Sequence, residues 1–168
     1  MNIRINYDSY FTHESINITV YDGTYASIES QSSQDPCTES DDDKKFAFLG
    51  ELLAKNELPH RQIIGSYEGF ETKYSFFIVK PENVDLQKFR KIIFDLGEQF
   101  KQESVILSTK NSIELVYTTG EHKGTAWVGN GFDTNIGENY SKLSTSDGKE
   151  YFIGQYYLDR QNYVLWKV

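Results

Sequence analysis

Four carboxylates crowd into five positions at Glu39, Asp41, Asp42 and Asp43, the densest group of carboxylates in the sequence. Oxygen ligands at this density suggest a divalent cation. The spacing argues against one. Successive residues at a helix start point about 100° apart, and the alternating acids with a central glycine that build a calcium loop are missing. Carboxylates at a helix start instead stabilise the positive end of the helix dipole, by roughly 0.3 to 1 kcal/mol each. On a surface the same residues form a negative docking patch, and they are the first candidate binding site.

No other constellation carries catalysis. His13, His60 and His122 stand far apart, and none has a second His or a Cys at ligand spacing, so neither a zinc site nor another cofactor is expected. His13-Glu14-Ser15 has the form of half a two-histidine phosphoesterase motif, but no second copy supplies the complementary acid or base. Gly129-Asn130-Gly131 is followed by no Lys-Ser/Thr pair and no helix start, and reads as a hairpin turn rather than a phosphate loop. There is no Gly-x-Ser-x-Gly elbow, and Glu51, Glu68, Glu71 and Glu114 could pair only through folding. Cys37, the single cysteine, cannot form an internal disulfide and lies among acids that disfavour its thiolate. The expectation is a non-enzymatic protein.

Charge narrows the choice of partner. The net charge is -8, and the first 43 residues, with nine acids and one base, carry all of it. Phosphate backbones call for Lys and Arg, so the imbalance disfavours nucleic acid and favours a protein with a basic surface. No apolar run approaches the roughly 20 residues that cross a bilayer, and the opening residues lack the apolar segment of a signal peptide. The expectation is a cytoplasmic protein with no membrane partner.

The elements that position these residues follow from hydrophobic period. Ser15–Tyr21 alternates around Ile16, Ile18 and Val20, Asp22-Gly23 offers a turn, and residues 24–29 continue the β pattern, predicting an N-terminal β-hairpin. Residues 30–43 read as a mobile loop. Phe46, Leu49, Leu52 and Leu53 predict a helix over 42–56, capped by Ser40 or an adjacent Asp. Two runs, 61–67 and 73–79, predict an antiparallel hairpin. Leu86, Phe89, Ile93, Leu96 and Phe100 then recur at helical spacing, followed by strands near 104–107 and 113–117.

From residue 24 to 108 the order is β-α-β-β-α-β, the ferredoxin-like split βαβ pattern: an α+β fold with an antiparallel sheet and both helices on one face. One domain of 168 residues is expected, with a core over about 15–118 and a β-rich extension of two or three strands over about 120–168. Residues 73–79 are apolar on both faces, so the sheet surface away from the helices needs a cover from the extension or a partner. The aromatic extension, around Tyr156, Tyr157 and Trp166, is the second candidate binding surface and a route to homo-oligomers.

Leu49, Leu52 and Leu53, the strand from Tyr74 to Val79, and the helix end from Leu96 to Phe100 together resemble a small uncharacterised domain family of bacteria and bacteriophages, over about residues 20–118. Gly97 and Gln99 here flank a glutamate, a departure from the family pattern. The resemblance implies provenance and fold, and no active site comes with it. For a phage protein it implies a host-takeover or anti-defence inhibitor working in the host cytoplasm through a surface. A virion structural or assembly component, an RNA-binding domain stacking bases on Tyr74, Phe76 and Phe77, and a cryptic enzyme are the alternatives.

Overall fold

The computed structural model describes residues 24–32, 38–67, 70–109, 112–132, 140–144, 150–153 and 156–165. Its core follows the split βαβ order: β1 (Tyr25–Glu29), α1 (Glu39–Lys55), β2 (His60–Tyr67), β3 (Phe70–Val79), α2 (Leu86–Gln99) and β4 (Ser104–Thr109). These strands stand in the order β2-β3-β1-β4, all antiparallel, which is the ferredoxin-like arrangement. β5 (Ser112–Tyr117), β6 (Thr125–Phe132), β7 (Tyr140–Ser144), β8 (Glu150–Ile153) and β9 (Tyr156–Leu165) complete one nine-stranded sheet.

Helix starts and stops are set locally. Asp85 caps α2, its side chain accepting from Lys88 N at 2.8 Å. α1 begins earlier than the hydrophobic pattern indicates, because the cap is Thr38 and not Ser40; the Thr38 hydroxyl accepts from Asp41 N at 3.3 Å. Glu39 to Asp42 are therefore helical rather than loop. Phe89, Ile93, Phe94 and Leu96 of α2 pack with Leu49 and Leu53 of α1 against Ala26, Ile28, Phe76, Ile78, Val105 and Leu107 of the sheet.

One departure from the sequence reading comes from pairing at a distance. β1 lies between β3 and β4 and pairs with both over Tyr25–Ser27. The first strand of the expected N-terminal hairpin, 15–21, lies outside the described residues. Among the described residues the extension holds four strands rather than two or three, and it widens the sheet at both ends, β6 and β9 beyond β5, β7 and β8 beyond β2.

β6 pairs with β5 and β9, while β7 pairs with β2 and β8. Flat, a nine-stranded sheet would hold β8 and β9 about 38 Å apart. Two residues separate Ile153 from Tyr156, a reach of about 11 Å at most. The sheet must therefore curl until its edges approach. Tyr25, Phe77 and Ile63, on the face without helices, are 1%, 0% and 2% exposed, so that face is covered within the chain. Tyr25 and Phe77 stack there at 4.9 Å.

Candidate functional site

The expected acidic patch is resolved by the structure into individual partnerships. Glu39 and Asp41 are exposed; Glu39 Oε1 lies 3.6 Å from Lys73 Nζ, and Asp41 Oδ1 lies 3.9 Å from Lys44 Nζ. At this exposure such pairs contribute little stability. Asp42 departs from the expectation of a surface carboxylate: it is 5% exposed, and Gln31 Nε2 donates to its Oδ2 at 3.2 Å. Asp43 Oδ1 accepts from the Tyr74 hydroxyl at 3.1 Å.

An irregularity in β3 makes these contacts. Ile63 pairs with Ser75 and Gly65 with Thr72, so Lys73 and Tyr74 together stand opposite the single residue Ile64. This is a β-bulge, which breaks the in-out alternation and re-aims side chains. Both Lys73 and Tyr74 consequently reach the first turn of α1, where Lys73 Nζ also sits 5.4 Å above the Tyr74 ring. Below the bulge Thr72 falls on the same face as Ser75, and a Cβ on Gly65 would meet Ser75 Oγ at 3.5 Å and Thr72 Cγ2 at 3.6 Å.

Gln31, Glu39, Asp42, Ile64, Glu71, Thr72, Lys73 and Tyr74 line an open cavity of about 560 Å³ at this corner. Burial first, then the hydrogen bond to Asp43 and the charges of Asp43, Glu39 and Asp42, push the Tyr74 hydroxyl up from 10.0 to about 12. A phenol so placed stays protonated and donates; it is no base near neutrality. Glu29, on the face without helices, has its carboxyl raised by burial, an effect that a hydrogen bond with Thr72 opposes.

Gln31, Thr72 and Lys73 are absent from the candidate residues drawn from sequence, where Glu71 enters only as a carboxylate that folding could pair and Tyr74 only as a base-stacking ring. Glu39, Asp42 and Asp43 do meet at this corner. The oppositely charged Glu71 and Lys73 are the one local hint of it, and the bulge that places Lys73 leaves no mark in composition. Tyr156 and Tyr157 lie in β9, opposite Phe132 and Gly131, while Trp166 lies outside the described residues.

Among the described residues no group of three or more His, Cys, Asp or Glu side chains is arranged for a metal ion, and no described helix is long and apolar enough to cross a membrane. Tyr74, Phe76 and Phe77 are 7%, 7% and 0% exposed, and Phe76 stacks on Phe46 at 4.2 Å. They offer no platform for bases. Compared with known proteins, the sequence matches no family model and no curated protein.

Proposed function

We propose that this chain is a non-enzymatic accessory protein that works by binding another protein through the first turn of α1. The observation that carries this reading is the Lys73–Tyr74 bulge, which reinforces a helix start bearing exposed Glu39 and Asp41. Buried Asp42 and hydrogen-bonded Asp43 hold that turn in place, so the outward carboxylates are presented on a rigid element. A rigid negative surface favours a basic partner and speeds its encounter. With the resemblance to bacterial and phage proteins, the reading extends to an inhibitor of host or defence machinery, encoded by a phage and acting in the host cytoplasm.

Self-association through the extension has less support. Between Trp127 opposite Tyr163 and Val128 opposite Asp159 the register slips, leaving 160–162 out of the ladder. An interrupted edge is a device that discourages sheet-to-sheet pairing.

The test captures partners from a bacterial lysate with the purified chain, then measures association of the captured protein with the wild type and with Glu39→Gln/Asp41→Asn. Association should slow in the variant at low salt, and the difference should fade toward 1 M salt, where the Debye length is about 3 Å. Equal association rates at low salt would remove the acidic turn from the binding surface.

A further inference from the structure

The corner cavity of about 560 Å³ is bounded by the first turn of α1 and the bulged stretch of β3. Its volume is that of a ligand pocket, but pockets for small molecules are mostly apolar and enclose what they bind. This one is open, and among the described residues Ile64 is its one aliphatic wall. It suits a polar side chain carried in by a larger partner. Three carboxylates, Glu39, Asp42 and Glu71, line it against the one ammonium of Lys73, so the incoming group is a cation. The chain already seats a cation here. Lys73 Nζ lies 3.6 Å from Glu39 Oε1 and 5.4 Å from the centre of the Tyr74 ring. A carboxylate beside an aromatic face is a setting that holds cations. Lysine uses it weakly, because its ammonium is a strongly hydrated point charge on a flexible stem, and the Lys73 side chain is 56% exposed.

We propose that this cavity receives an arginine side chain of the partner, whose guanidinium takes the place now held by the Lys73 ammonium. A guanidinium is planar and weakly hydrated, stacks on an aromatic ring and engages carboxylates through paired N–H donors. Glu39 is open to it, and Glu71, although 3.8 Å from Lys142 Nζ, is 45% exposed. Asp42, 5% exposed, adds its negative charge from within the wall. Lys73 then swings to solvent at little cost, since its pair with Glu39 is an exposed one. It is a built-in competitor that weakens every cation but the best-fitting one. The proposal rests on the protein-binding reading for the source of the arginine, and not for the preference of the cavity.

The probe is N-acetyl-arginine N-methylamide, titrated into the full chain at about 0.15 M salt with the lysine analogue as control, and followed by amide resonances. The arginine probe should shift Gln31, Thr72, Lys73 and Tyr74 saturably and bind at least about threefold tighter than the lysine probe. Lys73→Gln removes the competing cation, so the arginine probe should bind this variant about three- to tenfold tighter than wild type. A merely structural Lys73 would leave affinity unchanged or lower it. Glu39→Gln should weaken binding by at least about threefold, whereas Asp41→Asn, which does not line the cavity, should change it by less than about twofold. Shifts that do not saturate, equal affinity for the two probes, or binding that Lys73→Gln fails to tighten overturn the proposal. It fails separately from the acidic surface. A silent probe, with a captured partner still slowed by Glu39→Gln/Asp41→Asn, strikes the cavity and leaves that surface standing. A probe that binds, with association unchanged in that variant, upholds the cavity's preference and removes the protein partner from it.

Discussion

Arg90, in α2, donates through Nη2 to Glu114 Oε1 of β5 at 3.1 Å, and its Nη1 lies 3.0 Å from Glu114 Oε2. The pair fastens β5 to the helix layer. Their side chains are only 19% and 11% exposed, so removing one partner strands the other in a poorly solvated place. Arg90→Met should cost about 3 to 5 kcal/mol in urea unfolding at pH 7, while Arg90→Met/Glu114→Leu should recover most of it. A single variant within about 0.5 kcal/mol of wild type would show that water reaches the carboxylate.

Gly97 lets α2 lie tightly against Val105 of β4 and against Thr118. A Cβ there would lie 2.8 Å from both Val105 Cγ1 and Thr118 Cγ2, side chains already packed and unable to retreat freely. At an exposed helical site Ala would gain about 0.5 to 1 kcal/mol over Gly, but overpacking costs about 1 to 3 kcal/mol. Gly97→Ala should therefore destabilise by about 1 to 2 kcal/mol in urea unfolding. A more stable variant would mean that α2 can move off the sheet.

Glu29 links the curled sheet to pH. Burial raises its carboxyl above the ordinary 4.5, so the folded state binds the proton more readily than the unfolded chain does. That preference favours folding in acid, and it is lost as pH rises through the raised pKa. Glu29→Gln should accordingly be more stable than wild type at pH 7, with the gap closing near pH 4. A gap that widens in acid would contradict the burial of this group.

Much of the core is legible in sequence because its determinants are local. The run from Leu86 to Phe100 repeats at helical period beside Asp85, which caps it, and the order of elements implies the ferredoxin-like sheet by the short-connection rules of such folds. The extension is different. Its β character is readable, but which edge each strand joins depends on pairings such as Ser66 with Tyr140, across more than seventy residues. The site divides the same way. Acids near a helix start are visible, whereas the burial of Asp42 and the re-aiming of Lys73 follow from one extra residue in β3 that only the partner strand defines.

The final prediction concerns the corner where helix and bulge meet. Tyr74 is held protonated by burial, by its hydrogen bond to Asp43, and by the surrounding charges of Asp43, Glu39 and Asp42, with its hydroxyl raised from 10.0 to about 12. Ultraviolet titration of the twelve tyrosines should therefore show one that ionises near 12, absent in Tyr74→Phe. Asp43→Asn removes the nearest charge and weakens the acceptor, so that last ionisation should move down, though not fully to 10.0 because burial persists. Stability follows the same group. The folded state keeps its proton between about 10 and 12 while the unfolded chain releases it, so stability should fall as pH rises across that window, and fall less in Tyr74→Phe. If the titration of wild type and Tyr74→Phe differs by a tyrosine ionising near 10, the hydroxyl is not committed to Asp43, and the bulge does not brace the first turn of α1 as the proposed binding surface requires.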